Sequence, residues 1–315
     1  MIDFSGRLIV HIGPQKTGST SIQLVLDEEY ERLREVGILF PKAGRNWISN
    51  PEHKSNHTPL VMSLSGELFF GNAAPETAKI VPDLKHEIDE ANPHSIIISS
   101  EELARPYYSA EVLHDLKRIF PKAQRVWVVY VRSQDDLVLS HYAQRLRTGM
   151  LSWPDSIRHV MLPELLDHRL RLERLAYAVG EDKIVPVSFD ARQGDLIESF
   201  FEAGGITRPS PLPWTSRANK SLPWRTLYCL RYANALPSRL RRHDRRVIFG
   251  LSRRIEGSRL RRLLDAKLPL TQQEAEKIRK RYEASNRWVE ETYWSGTRHL
   301  TSVPEAEEAE RVRRS

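Results

Sequence analysis

The stretch Gly13-Pro14-Gln15-Lys16-Thr17-Gly18-Ser19-Thr20 gathers two glycines, a lysine and three hydroxyls in eight residues. Small side chains leave backbone N–H groups open to a ligand, the hydroxyls add donors, and the lysine adds positive charge. That set suits the oxygens of a phosphate. A second set pairs Arg132, a forked and permanently charged donor, with Ser140, a hydroxyl eight residues later. Together they suit a dianionic phosphate. Two side chains could take up a proton: Glu101, which follows the run IIISS, and His57. His53 and His57 have no cysteine or carboxylate partners at ligand spacing, so no metal is expected.

The elements that must position these residues are legible as periodicities. Leu8 to Ile12 is an apolar run long enough for one buried strand. After the loop the period turns helical through Ile22, Val25, Leu26, Tyr30 and Leu33, with Gly37 where a C-terminal cap belongs. Strand, glycine loop and helix aim backbone amides and a helix N-terminus at an anion. Ile38 to Phe40 predicts a second strand, 41–60 a polar loop, and 60–70 and 77–90 helices. Ile96 to Ile98 predicts a strand running into Ser99-Ser100-Glu101-Glu102, and 110–120 a crossover helix. Val126 to Val131 is the strongest strand in the chain.

A continuous apolar strand is one covered on both faces, and strand–helix alternation says the same, so a parallel α/β sheet follows. Arg132 then falls at the carboxyl end of a strand, where ligands sit in such sheets. Ser133 with Asp136 predicts a capping box. The helix it opens would bury Leu139, Tyr142, Ala143 and Leu146, with Ser140 a quarter-turn away. Further on, 161–178 and 271–294 each predict one helix, Lys183 to Phe189 a strand, and Leu196 to Ala203 a helix stopped by Gly204-Gly205. Residues 208–223 form a proline-bearing loop.

The position of the lysine discriminates between kinds of phosphate loop. A nucleotide triphosphatase loop reads G-x-x-x-x-G-K-[ST]. Gly13 and Gly18 keep that glycine spacing, but Ser19 stands where the lysine should be, and Lys16 precedes Gly18 by two residues. The order P-x-K-T-G-S-T resembles instead the 5′-phosphosulfate loop of sulfotransferases that use 3′-phosphoadenosine-5′-phosphosulfate (PAPS). The resemblance implies that Lys16 contacts the bridging region of the phosphosulfate, while Gln15, Thr17, Gly18, Ser19 and Thr20 belong to the loop that holds the 5′-phosphate. It also implies that Arg132 and Ser140 hold the 3′-phosphate, at the spacing the family uses. Arg217 and Lys220, with Asn219, resemble a late basic segment that folds over the adenosine and the 3′-phosphate. The catalytic base of cytosolic members is a histidine just past the strand that precedes the 3′-phosphate strand. Glu101 occupies that place here, as in carbohydrate sulfotransferases with a glutamate base, and His57 is its rival. Metal is not required.

The 315 residues are 40% hydrophobic, carry a net charge of +7 and include one cysteine, Cys229. A disulfide framework is thereby excluded, and a reducing compartment is expected. The basic balance favours anionic ligands. No apolar run approaches the roughly 20 residues of a membrane span, and no signal-peptide core precedes the first strand, so a cytoplasmic protein is expected. Ten arginines fall between Arg239 and Arg262, interleaved with apolar residues. Such basic amphipathic helices, spanning 239–263, would meet a polyanion or an anionic membrane, at the inner membrane face, or form a solvated surface. From Thr301 to Ser315 the mixture of glutamate and arginine predicts a disordered tail.

These observations predict one domain over residues 1–300, an α/β fold with a P-loop-type parallel sheet flanked by helices, the sulfotransferase fold, and a helical C-terminal elaboration. The expected activity is transfer of a sulfuryl group from PAPS to a hydroxyl or amine of a glycan or related cell-surface precursor, with no specific nucleic acid as partner. The resemblance covers residues 7–150 closely and about 180–295 loosely. Two rivals are defined. An NTP-dependent kinase would need a lysine after Gly18 and an aspartate ending an apolar strand for Mg²⁺. A nucleic-acid-binding module would use the arginine-rich helices and bind with steep salt dependence.

Overall fold

In this computed structural model the described residues are 1–13, 17–45, 55–65, 77–104, 110–189, 195–209, 222–237, 247–251, 268–295 and 300. Five strands, β1 (Arg7–Ile12), β2 (Ile38–Leu39), β3 (Ser95–Ser99), β4 (Gln124–Val131) and β5 (Lys183–Ser188), form an all-parallel sheet. Their order is β2-β3-β1-β4-β5. Helices α1 (Ser19–Glu28) and α2 (Tyr30–Glu35) join β1 to β2, and α3 (Thr58–Ser65) and α4 (Thr77–Ala91) come before β3. Helix α5 (Ala110–Ile119) joins β3 to β4. Then come α6 (Gln134–Thr148), α7 (Pro163–Leu166), α8 (His168–Val179), and, after β5, α9 (Leu196–Gly204). Further helices among the described residues include α10 (Trp224–Asn234), α11 (Gln272–Arg281) and α12 (Glu283–Trp294).

The chain forms two compact units. The first holds Met1–Arg132, His168–Ala218 and Ser285–Leu300, and the second Ser133–Asp167 and Asn219–Ala284. In the first unit the sheet is covered on both faces, as continuous apolar strands require. Leu8, Val10, Ile12, Ile96, Ile98, Trp127 and Val129 face the side chains of α4, α5, α8 and α12. Ile9, Ile97, Val128 and Tyr130 face α1, α2 and α9, where Ile22, Leu26, Leu33, Phe200 and Phe201 are buried. Strand β5 contains Pro186, which has no N–H to give, and pairs only with β4. A proline fits such an edge, and the Pro186 carbonyl accepts the Nε1–H of Trp294 at 2.9 Å.

In the second unit α6, α7, α10 and α11 share a core of Leu137, Val138, Tyr142, Leu146, Leu166, Leu227, Leu230 and Ile278. Arg279 on α11 donates to the buried Asp135 of α6 at 2.6 Å. These contacts rotate α6 from the expected orientation: Leu137, Val138 and His141 are buried beside Tyr142 and Leu146, whereas Leu139 and Ala143 are only partly covered. The expected capping box is also absent, since Ser133 caps α6 without a side-chain hydrogen bond.

Three expected elements differ in extent. The helix expected over 161–178 is two, because Asp167 is extended (ψ 96°) and the His168 Nε2 bonds the Arg132 carbonyl at 2.7 Å. The helix expected over 271–294 breaks at Tyr282 (φ −105°, ψ 10°), whose N–H is shared between the carbonyls of Ile278 and Arg279. Helix α3 begins inside the expected 41–60 loop, where the Asn56 Oδ1 accepts the Thr58 N–H at 3.1 Å. The 301–315 tail and most of 239–263 lie outside the described residues; within the latter, 247–251 is helical.

Phe200 is fully buried between the sheet and α9, whereas Tyr177 on α8 is 89% exposed. Phe200→Ala should destabilise the fold by about 3–5 kcal/mol, through lost burial and a cavity. Tyr177→Ala should stay within about 0.5 kcal/mol of the parent. Denaturant unfolding of both variants checks the packing; equal effects would contradict it.

Candidate phosphate site and its buried support

Strand β1 lies at the centre of the sheet, and Gly13 leaves its carboxyl end. Residues 14–16, and with them Gln15 and Lys16, lie outside the described residues. The chain is described again at Thr17, which is buried, and at Gly18, the N-cap of α1. Gly18 has φ +81°, a left-handed conformation that glycine adopts without cost. A Cβ there would also stand 2.5 Å from Leu196 Cδ2 and 2.8 Å from Phe189 Cε2. The two ends of the loop meet more closely still. A Cβ on Gly13 would lie 1.8 Å from the Ser19 Oγ.

Helix α1 therefore starts directly above the end of β1, with no acidic residue in its first turn to neutralise the positive end. The first amides of any helix lack intrahelical partners. Here the Ser19 hydroxyl adds a donor that is itself buried, 2% exposed, and without a hydrogen-bond partner among the described residues. Buried polar groups are as a rule satisfied. An orphaned hydroxyl beside open helix amides and a glycine-floored turn has the donor set of an anion cradle.

The neighbouring strand β3 leaves the sheet on the same side, through Ser99 and Ser100 to the partly buried Glu101, which precedes a short 3₁₀ turn. Two buried histidines hold this exit. His57 donates its backbone N–H to the Ser99 carbonyl at 2.7 Å, and its Nδ1 accepts the Ser99 N–H at 3.1 Å. Its Nε2 bonds the Pro41 carbonyl at 3.0 Å, so Nε2 carries the ring proton. Burial, with Arg45 nearby, pushes His57 down to about 3. With both nitrogens engaged to backbone and no exposed surface, His57 has no lone pair for an acceptor proton. In this geometry the ring links the Pro41 and Ser99 backbones.

His11, in β1, was not singled out from the sequence. Its ring is fully buried, and burial pushes it down to about 3. Its Nδ1 lies 2.8 Å from the Ser99 Oγ. The signal was present in the sequence: a histidine inside the apolar run LIVHI needs a partner or a reason. Arg45 was likewise missed. Its side chain is fully covered, stacks over Phe40 at 4.4 Å and bonds Asp27 at 2.8 Å. Burial lowers its pKa, with Asp27 opposing.

Arg132 follows β4 directly and is partly exposed, its guanidinium 5.3 Å from the Phe189 ring centroid. Ser140 lies in the second turn of α6, in the other unit, also partly exposed. Arg217, Asn219 and Lys220 lie outside the described residues, as does His53.

The two buried histidines set a pH dependence. Both fold with pKa values near 3, against about 6.5 in an unfolded chain. As pH falls below that unfolded value the unfolded chain binds protons that the fold excludes, so stability is lost. Between pH 7.5 and 5, unfolding free energy should fall with a slope approaching about two protons, and His57→Asn should remove about one of them. A flat profile over that interval would show that the rings are not buried and neutral.

No protein-family model matches this chain, and a search of curated proteins finds no match, so the chemistry of the site is read from its own residues.

Proposed function

We propose that the chain is a sulfotransferase that moves a sulfuryl group from PAPS to a hydroxyl or amine of a glycan or related cell-surface acceptor. The observation that carries this reading is the turn between β1 and α1. Gly13 touches Ser19, Gly18 is left-handed, the Ser19 hydroxyl is buried without a partner among the described residues, and the lysine precedes Gly18 instead of following it. The first three features support a phosphate cradle. The fourth argues against a nucleotide triphosphatase.

Each residue has a role in this reading. The amides and hydroxyls of Thr17, Gly18, Ser19 and Thr20 hold the 5′-phosphate, with Gln15 in the same loop. Lys16 meets the charge that develops on that phosphate as it leaves, a stabilisation worth most in the transition state. By resemblance to sulfotransferases, Arg132 and Ser140 are assigned to the 3′-phosphate, and Arg217 and Lys220 to the basic segment over the adenosine and the 3′-phosphate. Glu101 takes the proton from the acceptor hydroxyl. The acceptor oxygen forms a bond to sulfur while the bond from sulfur to the phosphate oxygen breaks, and its electron pair leaves with 3′-phosphoadenosine-5′-phosphate (PAP). A carboxylate suits the base role when its surroundings bring its pKa toward the working pH.

Calorimetric titration with PAP, AMP and Mg-ATP tests the reading. PAP should bind without Mg²⁺ and more tightly than either alternative, and Arg132→Ala should weaken it by about 1.5–3 kcal/mol. Tighter binding of Mg-ATP would favour a kinase and overturn the assignment. Sulfate release from labelled PAPS, with water in the acceptor's place, separates the catalytic roles. Glu101→Gln should slow it by about 10²–10⁴-fold and leave PAP affinity unchanged. A fully active glutamine variant would remove Glu101 from the mechanism.

A further inference from the structure

His11 occupies a junction of three elements that the proposed chemistry must keep in register. It is the register partner of Ser99 across β1 and β3. Gln23, in the second turn of α1 and 4% exposed, donates its Nε2–H to the Ser99 Oγ at 2.9 Å. The same Ser99 oxygen lies 2.8 Å from the His11 Nδ1, and a hydroxyl can accept from both side chains or donate to the imidazole. The backbone repeats the link, since the Ser100 N–H donates to the His11 carbonyl at 3.2 Å. The ring is wedged edge-on between Tyr130 and Phe200, with centroids 5.5 and 5.4 Å away. A Cβ on Gly13 would lie 3.1 Å from the His11 Cε1, so the imidazole also lies against the floor of the loop.

A buried run of three polar side chains is costly unless its bonds form, and when they form it selects one arrangement of the elements that carry them. Here those elements are the strand that enters the phosphate loop, the helix that leaves it, and the strand that delivers Glu101. We propose that His11 is a positioning residue: through Ser99 and Gln23 it ties the phosphate loop to the strand exit that carries Glu101. The proposal rests on the sulfotransferase reading. In-line transfer needs donor and base at a fixed separation, and a shift of about 1 Å can cost about 10²-fold in rate.

The test follows backbone hydrogen exchange of the full chain with and without PAP. In the wild-type chain PAP should slow exchange by about tenfold or more both in peptides covering 13–22 and in those covering 98–104. His11→Leu and Ser99→Ala should keep the first effect and lose the second. His11→Asn, whose amide can stand in for Nδ1 as donor or acceptor, should restore it. Should His11→Leu fail to fold, Ser99→Ala carries the comparison. Equal protection of 98–104 in wild type and both variants overturns the proposal. So do protection confined to 13–22 in the wild type, or an asparagine variant that behaves like the leucine one. No effect of PAP at 13–22 in the wild type overturns the sulfotransferase reading itself, and this proposal with it.

Discussion

The contact between Gly13 and Ser19 is the constraint on which the carboxyl edge of the sheet depends. A methyl group on Gly13 would fall 1.8 Å from the Ser19 hydroxyl and 2.8 Å from its Cβ, so a side chain there would displace Ser19 at the start of α1. With glycine in place, the helix begins directly over the strand, and its open amides and positive end stand at the centre of a sheet buried on both faces. Gly18 completes the turn by taking the left-handed conformation. Helix amides, a buried hydroxyl and a left-handed glycine in one turn are features that suit an anion.

Charge and burial then divide the labour among the polar residues nearby. His11 and His57 are kept neutral by burial and act as hydrogen-bonding spacers between strands and loops. Their value is geometric: one links β1 to β3 through Ser99, and the other links the residues after β2 to the same serine. Glu101, two residues further on, is partly exposed and so remains able to meet an incoming group. His57 is neutral and bonded through both nitrogens, whereas Glu101 is partly exposed, a difference that residue type alone does not give.

Much of the architecture was legible in the sequence because it rests on local, periodic signals. The strands Leu8 to Ile12 and Val126 to Val131 read as doubly covered, and they lie inside the sheet. The stripe from Ile22 to Leu33 is buried throughout. Orientation and continuity were less legible, because they are set by contacts distant in sequence. Helix α6 turns Leu139 partly outward since Leu227, Leu230 and Ile278, over eighty residues later, define its core side. The break at Asp167 depends on a bond from His168 to the Arg132 carbonyl, which no local pattern announces. In the site, the glycine loop and Arg132 were visible as residue types at a spacing. The buried role of His57 was not, since a histidine in a polar loop carries no sign that backbone groups will engage both nitrogens; His11 was marked only by standing inside an apolar run, which does not name Ser99 as its partner.

The most direct measurement is a crystal structure of the chain with PAP. The account predicts the 5′-phosphate over the amides of residues 17–20 at the start of α1 and the 3′-phosphate at Arg132, with Glu101 on the open side of the loop. Nucleotide bound elsewhere, or phosphates that avoid the turn between Gly13 and Ser19, would contradict it.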